Sequence, residues 1–409
     1  MQPVLRNRDH RVCIRGKGGK RIRGHIYRYE YRQRGNTSGP IMDIKELRIV
    51  IAGGGTGGHL FPGIAVAQEF ISRSPGVEVI FVGTDRVFEK SILSEKGFRH
   101  LSISAEGIKG RSWWRKLLSI FKLPKGILES MWILLKFRPH LVVGVGGYSA
   151  GPVVMGAWLL RVKRVLHEQN ILPGVTNRML SRFSECIFVS FEQTKQYFKA
   201  HRVMVTGNPI RQDILKAMVD TQATGKREKP FSVFIIGGSQ GAHSINMAVM
   251  DALDYIKNGK QYGFIHQTGS EDESMVKARY RDKGFRATVQ PFFSDMATRF
   301  QDADLIICRA GATTVAEITA LGKAAIFIPY PHAADNHQML NARDLETAGA
   351  AEMISEQDLS GAGLGERIDF YASNPDQLRR MEKTAKEMGK PQAAKTIVDE
   401  CLKILKIEY

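Results

Sequence analysis

The stretch Leu47-Arg48-Ile49-Val50-Ile51-Ala52-Gly53-Gly54-Gly55-Thr56-Gly57-Gly58-His59 decides the fold. Leu47 to Ala52 reads as a buried strand, and Pro62-Gly63-Ile64-Ala65-Val66-Ala67 reads as the first turns of a helix. A glycine-rich turn between strand and helix lets backbone N–H groups approach an anion at the positive end of the helix. Three echoes follow: Gly146-Gly147-Tyr148-Ser149-Ala150-Gly151-Pro152, Gly237-Gly238-Ser239-Gln240-Gly241-Ala242 and Arg309-Ala310-Gly311-Ala312-Thr313-Thr314. Two of the four turns lie in each half of the chain. Matched contexts of this kind predict two α/β domains facing each other across a ligand cleft.

Outward from these turns, short apolar runs alternate with helical segments. Strands are expected at Val77–Val82, Leu141–Val145, Val165–His167, Cys186–Val189 and Val203–Thr206 in the first half. The second half gives Ser232–Ile236, Gly263–Gln267, Leu305–Cys308 and Ala324–Ile328. Nearly continuous apolar strands separated by helices indicate doubly wound parallel sheets. Gly207-Asn208-Pro209 marks a break, and the polar run 220–230 links to the next first strand. The expected division is a basic leader over 1–42, a first domain over 43–209 and a second over 210–390. A last helix over 391–409, with Ala394, Ile397, Val398, Cys401, Leu402 and Leu405 on one stripe, completes the second domain or crosses back to the first.

The chain has 409 residues, 43% apolar and 24% charged, which suits two globular domains. No apolar run reaches the roughly 18–20 residues of a bilayer-spanning helix, and no export signal opens the sequence. Cys13, Cys186, Cys308 and Cys401 are scattered without ligand spacing, which predicts reduced thiols and no metal. The net charge of +18 is uneven: residues 1–41 carry eleven Lys and Arg against two acidic residues, half of the excess. That leader has four readings: a nucleic-acid arm, an anionic-lipid anchor, an unstructured tail, or an upstream extension with Met42 as the natural start.

The first turn matches GxGxxG at Gly53, Gly55 and Gly58, and Asp85 follows the second strand where a ribose-binding carboxylate sits in dinucleotide enzymes. A nicotinamide-dependent oxidoreductase is therefore the alternative reading. No Gly-Lys-Ser/Thr follows, so the turn is not a Walker loop. A histidine inside the turn suits a group that takes a hydroxyl proton beside an anionic ligand, which makes His59 the candidate base, ahead of Glu168 and Asp85. In the second half, the N–H groups opening the Ala312 helix suit a diphosphate, Glu317 suits vicinal ribose hydroxyls, and Ser239 could offer its hydroxyl to a phosphate. Asp302-Ala303-Asp304 has the look of a metal pair, but its place at a helix-to-strand junction favours solvated turn carboxylates.

Gly53–His59, His167-Glu168-Gln169-Asn170, Gly207-Asn208-Pro209-Ile210-Arg211, Gly237–Ala242, Arg309–Glu317 and Pro329-Tyr330-Pro331-His332-Ala333-Ala334-Asp335-Asn336-His337-Gln338 occur in that order. From about Leu47 onward the chain thereby resembles the MurG family, glycosyltransferase family 28. The resemblance implies a GT-B fold of two Rossmann-like domains, acceptor on the first and donor nucleotide on the second. It implies inverting transfer of N-acetylglucosamine from UDP to the 4-hydroxyl of an undecaprenyl-diphospho-muramoyl-peptide, forming a β-1,4 bond in peptidoglycan synthesis. Thr56, Gly57, Gly58, Asn170, Arg211 and Ser239 are then donor-side residues, and the Phe293 backbone holds the uracil where the family often has an aliphatic. Ala312, Thr313, Thr314, Val315 and Glu317 hold diphosphate and ribose; Gln338, with His337, holds the sugar. Gly57, Gly58, Gly147, Tyr148 and Ser149 meet the acceptor diphosphate. No cofactor and no metal are implied. Partners are the UDP-sugar, the lipid-linked acceptor, an anionic membrane surface and other cell-wall synthesis proteins, not nucleic acid. The implied place is peripheral, on the cytoplasmic face of the inner membrane.

Lys109 to Lys125 holds six basic residues and no acidic one, interleaved with Trp113, Trp114, Leu117, Leu118, Ile120 and Phe121. Aromatic and aliphatic side chains rimmed by Lys and Arg suit a helix lying on anionic lipid. The following Ile127, Leu128, Met131, Trp132, Leu134 and Leu135 are read as an ordinary core helix.

Overall fold

The computed structural model describes residues 14–15, 21–22, 44–105, 113–199, 202–220, 230–238 and 240–407. The leader (Met1–Ile41) separates from the body (Met42–Tyr409). In the leader, β1 (Ile14–Arg15) pairs antiparallel with β2 (Arg21–Ile22); the rest of the leader lies outside the described residues.

The body begins with β3 (Arg48–Gly53), α1 (Gly57–Arg73), β4 (Glu78–Gly83), α2 (Val87–Glu95), β5 (Arg99–Ser102) and α3 (Trp113–Phe137). Then come β6 (Leu141–Gly146), α4 (Ala150–Leu159), β7 (Lys163–Glu168), α5 (Val175–Leu180), β8 (Cys186–Val189), β9 (Val203–Val205) and α6 (Gln212–Asp220). The strands form one parallel seven-stranded sheet in the order β5-β4-β3-β6-β7-β8-β9. Because side chains alternate along a strand, Ile49 and Ile51 enter the core on one face while Val50 and Ala52 enter the core on the other. Helices therefore cover both faces.

The second half runs β10 (Phe231–Ile236), α7 (His243–Ala252), β11 (Tyr262–Gln267), α8 (Glu273–Asp282), β12 (Arg286–Gln290), α9 (Met296–Asp302) and β13 (Leu305–Cys308). It continues through α10 (Ala312–Leu321), β14 (Ala324–Phe327), α11 (His337–Ala348), β15 (Glu352–Met353), α12 (Gly361–Ser373), α13 (Pro375–Met388) and α14 (Ala393–Leu405). Its parallel sheet has the order β12-β11-β10-β13-β14-β15, with Val233 and Ile235 on one core face and Phe234 and Ile236 on the other. Ile397, Val398, Cys401 and Leu402 of α14 lie in the core cluster of Leu47, Ile49 and Phe70, so the chain's last helix packs on the first sheet. Arg73, paired with Asp399, fastens it to α1.

Every expected strand is present to within two residues at its ends, but β5, β12 and β15 were not anticipated. Arg99-His100-Leu101-Ser102 and Arg286-Ala287-Thr288-Val289-Gln290 are edge strands, mostly half-buried or exposed, so they lack the continuous apolar run that marks a central parallel strand.

Candidate active site

In each sheet the strand order reverses once, between β3 and β6 in the first and between β10 and β13 in the second. Ligands of open α/β sheets bind outside the carboxyl ends of the strands at such a point. All four glycine turns sit there, two per sheet.

The two pairs differ. In the first sheet the turns after β3 and β6 interlock: Gly54 N–H donates to the Gly146 carbonyl at 3.4 Å. A Cβ on Gly53 would stand 2.2 Å from that carbonyl oxygen, and one on Gly147 would stand 2.5 Å from the Gly54 oxygen. Backbone fills the crevice. Glu89, 1% exposed, braces the same turn by accepting from Gly55 N–H at 2.5 Å and from the Thr84 hydroxyl at 2.9 Å. Thr56, the N-cap of α1, makes no side-chain cap, so the first-turn N–H groups of Gly57 and Gly58 are open to an anion. Tyr148 is 46% exposed, whereas Ser149 is buried at the start of α4.

In the second sheet the turn after β10 closes on the end of β11 instead. A Cβ on Gly241 would stand 2.0 Å from the Thr268 oxygen, and one on Gly269 would stand 2.3 Å from the Gln240 oxygen. The crevice between β10 and β13 stays open as a cavity of about 670 Å³, bordered by Gly237, Gly238, Arg309, Gly311, Thr314 and Gln338. Arg309 spans it, donating to Ser244 Oγ at 2.9 Å and to the Ile328 carbonyl at 3.1 Å. Gln338 accepts from Tyr330 N–H at 3.0 Å. Thr314 borders the cavity; Ala312 and Val315 are buried on the far side of α10, and Ser239 lies outside the described residues.

Two donor-side residues are held by protein partners. Glu317 is 3% exposed and grips Arg211 in a two-pronged pair, Nε to Oε1 at 2.7 Å and Nη2 to Oε2 at 3.2 Å, rather than bordering the cavity. Burial raises the Glu317 pKa, with Arg211 opposing. The Arg211 guanidinium also lies 5.3 Å over the Phe61 ring of α1. Phe293 is 1% exposed and its N–H is donated to Gln267 Oε1 at 2.9 Å, so its carbonyl is what remains for a base edge.

On the first sheet, His59 is half-buried with Nδ1 3.1 Å from Gln169 Oε1. The two reserve candidates for the base are occupied. Glu168, 2% exposed, accepts from Asn170 N–H, Gly174 N–H and Asn177 Nδ2. Asp85 is exposed and its pKa is lowered chiefly by its hydrogen bond to Lys90. Asp304 accepts from Ser232 N–H at 2.8 Å, a structural role at the head of β13, and among the described residues no three His, Cys, Asp or Glu gather to hold a metal.

The two halves meet through Asn341, which the sequence did not single out, and through Asn170, Thr313 and Gly58, which it did. Asn341, fully buried on α11, donates to Asn170 Oδ1 at 3.2 Å and to the Ala310 carbonyl at 3.3 Å, and accepts from Ile171 N–H at 3.2 Å. Thr313 at the start of α10 donates its hydroxyl to the Gly58 carbonyl at 3.4 Å. The donor-side turn therefore touches the histidine turn. Asn341 and Glu89 sit in unremarkable helical sequence; their roles exist only once distant segments are brought together.

The side chains of Trp113, Trp114, Leu117 and Phe121 lie outside the described residues. Further along α3, the core reading of 127–135 is half wrong. Ile133 and Leu134 are buried, but Leu128, Trp132 and Leu135 are 66%, 65% and 59% exposed, joined by Leu123. A helix packed along one stripe turns its other stripe to solvent, and here both are apolar. No helix among the described residues is long and apolar enough to cross a membrane.

Paired doubly wound sheets with facing switch points make this a GT-B fold. Residues 49–189 match the glycosyltransferase family 28 N-terminal domain and 232–397 the family 28 C-terminal domain. The chain belongs to glycosyltransferase family 28. It is 47% identical over 362 residues to the UDP-N-acetylglucosamine--N-acetylmuramyl-(pentapeptide) pyrophosphoryl-undecaprenol N-acetylglucosamine transferase of Syntrophus aciditrophicus (strain SB), covering 88% of this chain and 99% of that protein. The protein of the same name from Myxococcus xanthus (strain DK1622) is 44% identical over 360 residues, covering 88% and 93%. The crystal structure of Acinetobacter baumannii MurG superposes with a TM-score of 0.71 at 31% identity, over 87% of this chain and 99% of that one. A UDP-GlcNAc 2-epimerase from Neisseria meningitidis shares the fold, with a TM-score of 0.62 at 14% identity over 87% and 99%. The oxidoreductase alternative finds no support in these relatives, and the crevice its cofactor needs beside Gly53 is filled by Gly146 and Gly147.

Proposed function

We infer that this chain transfers N-acetylglucosamine from UDP-N-acetylglucosamine to the 4-hydroxyl of an undecaprenyl-diphospho-N-acetylmuramoyl-pentapeptide. The observation that carries the reading is the contact of the start of α10, which borders the open crevice of the second sheet, with the histidine turn of the first, through Thr313 and Gly58. The nucleotide diphosphate sits at the N-terminal end of α10, and the acceptor diphosphate meets Gly57, Gly58, Gly147 and Tyr148. The acceptor oxygen attacks the anomeric carbon from the face opposite the diphosphate. As that C–O bond forms, the bond from the anomeric carbon to the diphosphate oxygen breaks, and His59 takes the hydroxyl proton. The helix N-terminus and Arg211 neutralise the departing UDP. Glu317 acts through Arg211, by fixing the guanidinium at the seam.

The lipid-linked acceptor requires a surface that rests on the membrane. The exposed Leu123, Leu128, Trp132 and Leu135 of α3, with Lys125 and with Lys136 5.1 Å over the Trp132 ring, support the first domain in that role. The site is then the cytoplasmic face, with the enzyme peripheral.

The test is transfer of labelled sugar from the UDP donor to the lipid-linked acceptor by the full chain, alongside His59→Ala. Wild type transfers; His59→Ala loses roughly 10²–10⁴-fold in kcat while donor affinity by calorimetry is retained. No transfer by the wild-type chain refutes the activity, and a variant within a few-fold of wild type moves the base elsewhere.

A further inference from the structure

Four buried or half-buried groups run from the histidine turn to the link between domains, and their donors and acceptors can be assigned without ambiguity. Gln169, 1% exposed, places Nε2 2.8 Å from the Val145 carbonyl and 3.1 Å from His167 Nδ1, and Oε1 3.1 Å from His59 Nδ1. A carbonyl only accepts, so the group facing Val145 must be the NH₂. Flipping the amide would set two oxygens 2.8 Å apart in a dry interior, which excludes the flip. The amide oxygen therefore faces His59, and an oxygen can only accept. His59 Nδ1 must carry the proton.

The far end closes the same way. His167, fully buried, has Nε2 3.3 Å from the Gly207 carbonyl, so that nitrogen carries hydrogen and Nδ1 is the lone pair that receives the second Gln169 N–H. Burial holds His167 neutral, its pKa lowered to about 4, with the Gly207 bond opposing. Each proton along His59, Gln169, His167 and Gly207 is thus fixed by its neighbour.

We propose that Gln169 is a positioning residue that locks His59 in the Nδ1–H tautomer and so presents an unprotonated Nε2 as the acceptor for the substrate proton. Among the described residues no protein group bonds to that Nε2. Gly146 adds a steric half to the lock: a Cβ there would stand 2.9 Å from His59 Nδ1, so the glycine leaves the room the ring occupies. In many hydrolases a carboxylate fixes the base by its charge and also stabilises the imidazolium. A neutral amide fixes the tautomer without that charge, which suits a site already dealing with two diphosphates. The inference rests on the reading of His59 as base.

The test begins on the wild-type full chain, with ¹⁵N imidazole spectra assigned by comparison with His59→Ala. Expected is His59 with hydrogen on Nδ1 and a bare Nε2 at neutral pH, and His167 with hydrogen on Nε2. Gln169→Met keeps the volume and removes donors and acceptor together; it should give His59 a mixed tautomer and lower kcat roughly 10–100-fold, with the donor KM within about twofold of wild type. Gln169→Asn, which keeps the amide but shortens its reach, serves if the methionine variant unfolds and should show the same split. Hydrogen on His59 Nε2 in the wild type overturns the proposal, as does a wild-type kcat in a folded Gln169 variant whose tautomer has changed. In that second case a slow His59→Ala leaves the base reading standing. A fast His59→Ala removes the base reading and takes this inference with it.

Discussion

The two switch points are built from the same parts and do opposite things. Each has two glycine turns at the ends of adjacent parallel strands, both followed by helices that start at the cleft. In the first sheet the two turns lock into each other, and what remains at the surface is a histidine and two helix-start N–H groups. In the second sheet the β10 turn locks onto Thr268 and Gly269 instead, and about 670 Å³ stays open between β10 and β13. Which neighbour a glycine turn closes against decides whether its crevice is filled or free. A glycine motif is therefore a licence for close approach, and the partner is another backbone as readily as a phosphate.

That contrast can be broken with one methyl group on each side. Gly146→Ala puts a Cβ 2.9 Å from His59 Nδ1 at a backbone φ of +92°, so it should lower kcat by roughly 10²-fold, the cost of a catalytic group displaced by about 1 Å, and leave donor affinity near wild type. Gly238→Ala, at φ +95° with nothing within 4 Å, should do the reverse: weaken UDP-sugar binding while the bound complex turns over normally. Each also carries about 1–2 kcal/mol of left-handed strain, read as a lower melting temperature. Equal effects of the two variants on kcat and on donor affinity would mean that the crevices are not divided in this way.

Acid should strain both halves together. His167 beneath the first site and His266 in β11 are fully buried, with pKa values lowered by burial from 6.5 to about 4 and about 3. Their neutral forms contribute fully above pH 6.5, the unfolded value. Below it the unfolded chain binds protons that the folded chain refuses, so stability falls as pH drops toward the folded values. Between pH 6.5 and 5.5 the two together should cost about 2 kcal/mol in denaturant unfolding. Stability unchanged over that interval would show that both imidazoles accept protons in the folded state.

The smallest effect expected concerns the outer face of the first domain. Replacing Leu128, Trp132 and Leu135 with Ser should weaken binding to anionic vesicles roughly five- to tenfold in sedimentation, with little change in melting because all three are largely exposed. A variant that unfolds, or one that binds vesicles as wild type does, would move the membrane surface away from this part of α3.

The central strands, the four strand–turn–helix junctions and the division into two sheets were legible in the sequence because each is a local event. A buried parallel strand is a short apolar run, and the turn behind it must be glycine-rich. Edge strands such as β5 and β12 were not legible, since half-exposed strands carry no continuous apolar signal. His59 was marked out as a candidate by its setting within a turn; Gln169, one motif away, carried no sign of the part proposed for it. Its meaning arises where β7 ends beside β6 and α1, so that one amide reaches Val145, His167 and His59 at once. The Arg211–Glu317 pair and the clamp at Asn341 join residues 106 and 171 positions from their partners. Sequence determined which backbone turns could approach something closely, because that is a property of single residues. Only the tertiary structure decided what they approach, because a hydrogen bond's direction and a crevice's filling depend on neighbours that the chain brings back from far away.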